Sequence, residues 1–342
     1  MEGEIILSKR VVVVGAGEIS KAWFPLLLEE KVEVSAVVDL NRSAAKGRIK
    51  EYNLAAKAYT DLSEALRKHE PDFVLDLTIP QAHCKVVCSA LKHGCHVLGE
   101  KPMAASMMEA RRMVRTAEGM GCLYMVDQSR RWDSGNESVR RTVASGRIGK
   151  VTAVNCDFYA GAHFGGFRED MESPLILDMA IHHFDLARFM TGADPVAVYA
   201  KEFNPAASWY SGDAAASCIF EMTDGVIFTY CGSWCTEGCR TSWHGDWRIA
   251  GEKGTLLYTG ENGISGEVVA GRTGFTRKVK ELKTVDAEVK AAGMHGALKE
   301  MLAFLRSGKR PQTEAQDNIK SLAMVFAAIE SSRKGRRVLV RY

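Results

Sequence analysis

Along the first third of the chain, short unbroken apolar runs alternate with amphipathic stretches. Val11–Val14 is wholly apolar, as a parallel strand covered on both faces should be. A helix over 18–30 and a strand Val34–Val38 follow. The pattern returns at Phe73–Leu77, after a helix opened by Asp61 and Glu64 in the spacing of a capping box. It returns again at Cys95–Leu98, after a helix over 81–93 that stops at Gly94. A helix capped by Ser106 and Glu109 then leads to a strand over 122–126. This alternation predicts right-handed crossovers and a doubly wound parallel sheet, the α/β Rossmann arrangement.

After residue 127 the texture changes. A helix over 134–145 ends at Gly146, a long strand runs from Val151 to Ala160, and a helix covers 174–191. Asp224-Gly225 between Cys218–Met222 and Val226–Tyr230 signals a β-hairpin. Helices over 295–307 and 314–332 lie near the end. This half reads as an α+β domain with an open, mostly antiparallel sheet. The expected division is residues 1–127 for a nucleotide-binding domain and 128–342 for a substrate and oligomerisation domain.

A chain of 342 residues suits two such domains, and 46% hydrophobic with 25% charged residues is a globular balance. The net charge of +3 is dispersed, which argues against nucleic acid. No run approaches the ~20 apolar residues of a membrane span. The opening Met1-Glu2-Gly3-Glu4 does not read as a signal peptide. Nine scattered cysteines suit reduced thiols in a cytoplasm. Cys231, Cys235 and Cys239 with His244 nearby lack a second cysteine pair, so no metal is expected.

Chemistry gathers at two places. Gly15-Ala16-Gly17-Glu18-Ile19-Ser20 lies between the first strand and the first helix. Gly15 permits a tight turn and Gly17 lets backbone approach a pyrophosphate at the helix N-terminus. Ser20 replaces the third fingerprint glycine. Asp39 ends the second strand, 22 residues after Gly17, placed for the adenosine ribose hydroxyls. Its charge would repel a 2′-phosphate, so NAD is expected, with Arg42 leaving NADP possible.

The second place pairs two segments. Gly99-Glu100-Lys101-Pro102 follows a parallel strand at its carboxyl end, the ligand-binding edge of such sheets. Asp178, His182 and Asp185 share one face of the predicted helix at 100° per residue, with His183 turned away. A site for proton transfer needs a group that takes the proton and one that steadies the charge left behind. His182 oriented by Asp178 fits the first role and protonated Lys101 the second; Lys101 as the base is the open alternative.

Together these segments resemble the Gfo/Idh/MocA family of oxidoreductases, nearly end to end. The resemblance is carried by Thr78-Ile79-Pro80 with His83, by His96-Val-Leu-Gly-Glu-Lys-Pro102 and by Arg130-Arg131-Trp132-Asp133. Gly146–Val151, Asp178-x3-His182-x2-Asp185 and Trp247-x3-Gly251-x2-Gly254 add to it. It implies that Lys101, Asp178 and His182 line the nicotinamide pocket. It also implies that Thr78, Ile79, Pro80, His83, Glu100 and Gln128 lie with Glu18 and Ile19 on the cofactor's side. Glu100 either holds Lys101 or contacts the nicotinamide ribose. Arg131, His163, Arg168 and Trp243 are candidate substrate contacts. The implied substrate is a sugar, sugar acid or cyclitol, and the implied assembly a homodimer or homotetramer. Two rivals remain: a hydrolase or lyase that uses tightly bound NAD for transient oxidation, and a non-catalytic NAD-binding regulator.

Overall fold

In the computed structural model of the chain, which describes residues 9–260 and 263–342, the early apolar runs become five of the six strands of a parallel sheet. Along the chain come β1 (Arg10–Val14), α1 (Ser20–Glu29), β2 (Glu33–Val38), α2 (Arg42–Glu51), β3 (Lys57–Tyr59) and α3 (Leu62–His69). They are followed by β4 (Phe73–Asp76), α4 (Pro80–Lys92), β5 (His96–Gly99), α5 (Met107–Met120) and β6 (Tyr124–Val126). The sheet order is β3-β2-β1-β4-β5-β6, with every neighbouring pair parallel. The strand order therefore switches direction between β1 and β4, and ligands bind outside the carboxyl ends of strands at such a switch. Val11–Val13, Val74 and Leu75 have no exposed surface, which explains why these runs lack a polar face. The expected caps form: Asp61 accepts from the Glu64 amide at 2.6 Å and Ser106 from that of Glu109 at 3.2 Å. β3 has a single buried residue, too little for a periodic pattern to announce.

The second sheet is built from β7 (Val151–Tyr159), β8 (Pro195–Phe203), β9 (Ala215–Met222), β10 (Ile227–Ser233), β11 (Asp246–Gly251), β12 (Gly254–Tyr258), β13 (Ile264–Val269), β14 (Val279–Glu281) and β15 (Val338–Leu339). Its order is β14-β13-β12-β11-β7-β10-β9-β8-β15; β7 and β10 are parallel and the other neighbours antiparallel. The Asp224-Gly225 hairpin forms as expected, with both residues at positive φ (59° and 75°). Helices α6 (Ser134–Ala144) and α7 (Ile181–Thr191) precede most of this sheet, and α8 (Met294–Ser307) and α9 (Ala315–Lys334) come between β14 and β15. Phe184 of α7 packs edge-on against Phe220 of β9, so α7 covers one sheet face. The other face leaves Tyr199, Phe203, Ile219 and Ile227 exposed.

The chain forms two compact units, Met1–Ser129 with Gly293–Ile319, and Arg130–Ala292 with Lys320–Tyr342. A single boundary at 127/128 misses the return of 293–319 to the first unit. Specific partners hold that return: His295 Nε2 lies 2.7 Å from Glu30 Oε1, Phe304 stands edge-on to His96, and the Val126 amide donates to the Thr313 carbonyl. Among the described residues no helix is long and apolar enough to cross a membrane. The chain's opening residues 1–8, on which the signal-peptide reading rests, lie outside the described part.

Candidate active site

In the first unit the glycine turn closes as its residues dictate. Gly15 has φ +100°, and a Cβ there would stand 2.7 Å from the Leu77 carbonyl oxygen, so only glycine fits. At Gly17 a Cβ would meet no protein atom within 4 Å, which leaves the backbone open to a ligand. Asp39 Oδ2 accepts the Ala16 amide at 2.8 Å and Oδ1 accepts that of Asn41 at 2.7 Å, tying the end of β2 to the turn. Ser20 earns its place: its hydroxyl donates to the Gly17 carbonyl at 2.6 Å and receives Arg48 Nε at 3.0 Å. Here α1 begins at Ser20 rather than at 18, and Glu18 and Ile19 stand on the surface, Glu18 paired with Lys21. Arg42 is exposed and lines a cavity of about 680 Å³ with Lys46, Lys50, Lys57 and Lys68. An open backbone at Gly17, a helix start and a strand-end carboxylate fit NAD.

Beyond β4 and β5 lies a buried polar cluster. Asp76 Oδ2 is 2.8 Å from His83 Nδ1, and Asp76 Oδ1 accepts both the amide and the hydroxyl of Thr78. His83 is closed to solvent and serves this turn from inside, whereas Ile79 is 65% exposed and Pro80 opens α4. Glu100 Oε1 accepts the Trp23 indole N–H at 2.7 Å. Burial pushes the Glu100 carboxyl up, against the pull of Trp23 and Lys101. Asp127, buried at the end of β6, is pushed well above the carboxylate range by burial and by Glu100. Gln128 is buried as well. Asp76, Glu100 and Asp127 lie at or just beyond the ends of adjacent strands. Sequence reading passed over Asp76 and Asp127, although each closes an apolar run just as Asp39 does.

In the second unit, residues Leu175–Ala180 form a π-turn that leads directly into α7. The 100° step therefore fails across Asp178; such turns are frequent at functional sites. Asp178 Oδ2 accepts Arg168 Nε at 2.8 Å, in a pair partly open to solvent. Arg168, expected as a substrate contact, is thus Asp178's partner, and its guanidinium lies over Phe164 and Phe167. His182 is buried in the first turn of α7.

Asp185 is not part of an acid–base set. Both its oxygens receive Arg131 at 2.7 Å, and Ser321 donates to Oδ1. The pair is almost wholly buried, so Arg131, expected to touch substrate, is a structural anchor of α7. His183, as expected, points elsewhere: its ring packs against Phe158, Tyr230 and Trp247. His163 stacks on Trp209 at 3.7 Å, and Trp243 is 45% exposed beside Phe164. Trp234 and Tyr210 are buried against each other. Cys231 and Cys235 bond Ser217 and Ser233 and do not converge with His244.

Comparison with known proteins agrees with this geometry. Residues 9–128 match the model of the oxidoreductase family with an NAD-binding Rossmann fold, and residues 137–257 match the GFO/IDH/MocA C-terminal domain. An uncharacterized protein of Sinorhizobium fredii is 28% identical, over 98% of this chain and 96% of its own. A D-apiose dehydrogenase of Paraburkholderia graminis is 26% identical, over 95% and 88%. Among solved structures, an oxidoreductase from Agrobacterium radiobacter in complex with NAD+, L-tartaric acid and magnesium superposes with a TM-score of 0.84. It covers 97% of this chain and 98% of its own at 23% identity, a likeness of fold.

Proposed function

The chain belongs to the Gfo/Idh/MocA oxidoreductase family, with its NAD-binding Rossmann domain, and on that premise we propose that it oxidises or reduces a hydroxyl-bearing carbon of a sugar, sugar acid or cyclitol. The D-apiose dehydrogenase relative supports a sugar-like substrate. The observation that carries the reading is the π-turn bearing Asp178, held by Arg168, that runs into the helix bearing His182.

Bound NAD supplies the acceptor for the hydride that leaves the alcohol carbon. His182 takes the hydroxyl proton, with Asp178 and its partner Arg168 fixing the local charge. Lys101 donates a hydrogen bond to the reacting oxygen and steadies its negative charge. Gly15, Gly17 and Asp39 hold the nucleotide, and Asp39 sets the preference for NAD over NADP. The apolar sheet face at Tyr199, Phe203, Ile219 and Ile227 supports a homo-oligomer formed through it. Nine free cysteines support a reducing cytoplasm.

The test is NADH formation, followed by absorbance, with NAD and NADP offered separately against aldoses, sugar acids, inositols and glycosides. Reduction of NAD with one polyol class is expected. Cleavage of a glycoside with no net NADH would replace the dehydrogenase with transient oxidation.

A further inference from the structure

Among the described residues, several arginines lie on α7 or reach groups on it or next to it, and most of them hold carboxylates. Arg131 grips Asp185, Arg168 grips Asp178, and Arg188 grips Asp194. Arg130 differs. Its Nη1 donates to the Trp243 carbonyl and to His183 Nε2, the latter at 3.2 Å, and Nη2 reaches Met179 Sδ at 3.5 Å. All three partners are neutral, because burial and Arg130 itself hold the His183 imidazole well below its ordinary pKa. Asp133 is the carboxylate that acts on Arg130, and it does so weakly, with one oxygen engaged by the Asn136 amide at the start of α6. Burial lowers the guanidinium to about 10, the mark of a cation short of counter-charge.

Of the five N–H groups of a guanidinium, these bonds use both on Nη1 and one on Nη2. The Nε–H and the second Nη2–H have no acceptor among the described residues. They form the side-on fork that matches a planar carboxylate. The Arg130 partners Met179 and His183 directly follow Asp178 and His182 in the chain, and the His183 ring is turned toward Phe158, Tyr230 and Trp247. Trp243, whose carbonyl Arg130 holds, presents a half-exposed indole next to Phe164, a surface for the apolar face of a sugar.

We propose that Arg130 receives the carboxylate of an acidic substrate, so that the preferred substrates are polyhydroxy acids such as aldonates or uronates rather than neutral sugars. The proposal rests on the oxidoreductase reading above and narrows its substrate class. Arg130 contributes binding and orientation; the redox step is the one already described, in which the alcohol carbon loses hydride and its oxygen loses a proton.

The experiment compares matched probes, gluconate with glucitol and glucuronate with glucose, on the NAD-loaded protein. Both NADH formation and calorimetric binding are measured, for wild type, Arg130→Gln and Arg130→Lys. The acid of each pair should be favoured at least about tenfold in kcat/KM, and Arg130→Gln should raise its KM ~10–100-fold with little change for the neutral partner. Arg130→Lys should recover part of the loss. Equal use of neutral partners, preference for a sugar phosphate, or an acid preference that survives Arg130→Gln would overturn the proposal while leaving the oxidoreductase reading intact. If no probe is oxidised, that wider reading fails separately, and calorimetry still decides: no acid binding to wild type overturns the role of Arg130. The wild-type comparison needs no variant, so a poorly folding Arg130→Gln does not block the test.

Discussion

Arg168 Nε lies 2.8 Å from Asp178 Oδ2, and this pair joins the loop before α7 to the π-turn that opens it. The loop residue thereby sets the charge and direction of a carboxylate four positions before His182. Arg168→Ala should lower kcat by roughly tenfold through misplacement of that carboxylate. Stability should change by less than about 1 kcal/mol, since the pair is partly exposed. Steady-state kinetics and thermal unfolding check both, and Arg168→Lys should restore part of the rate.

Lys101→Ala and His182→Ala should each cut turnover by ~100-fold or more while NAD affinity stays nearly unchanged. Turnover with saturating NAD, beside a direct NAD titration, separates the two effects. A rate within a few-fold of wild type removes that residue from the chemistry.

Asp39→Ala should weaken NAD binding and narrow the preference over NADP by on the order of tenfold, because a 2′-phosphate no longer meets a negative charge. The ratio of the two dissociation constants is the readout. An unchanged ratio means that Asp39 serves only to tie the Ala16 amide.

Asp185→Asn should destabilise the protein by about 3 kcal/mol, because it leaves Arg131 buried without its counter-charge. Denaturant unfolding measures this. A change confined to substrate KM, with stability intact, would return Arg131 to the substrate.

Glu202 gives a pH dependence with a definite sign. Burial raises its carboxyl from 4.5 to about 7. Between those values the folded protein keeps a proton that the unfolded chain has lost, so stability falls as pH rises through the window. Glu202→Gln should match wild type below the window and exceed it by about 3 kcal/mol above pH 7. Unfolding midpoints across pH check the crossover.

Much of this molecule is legible in the residues themselves, for physical reasons. Parallel strands buried on both faces produce unbroken runs such as Val11–Val14, and capped helices carry local marks such as Asp61 with Glu64. What the sequence hides depends on partners far along the chain. Nothing near Arg131 announces Asp185, and nothing near Gly293–Ile319 announces its return to the first unit. The π-turn at Asp178 escapes a reading that assumes one angular step per residue. Arg130 and Arg131 are adjacent and chemically alike in sequence. Only the fold shows that one is neutralised by a carboxylate and the other is held by a carbonyl, an imidazole and a thioether.

The central claim is hydride transfer from an alcohol carbon to NAD. Its most direct test uses the substrate found by the NADH screen, carrying deuterium on the carbon to be oxidised, with the cofactor recovered and weighed by mass spectrometry. Deuterium in the reduced nicotinamide, matched by its loss from a carbonyl product, is the predicted result. Deuterium retained in the product, or returned to it with no reduced cofactor accumulating, would contradict the claim.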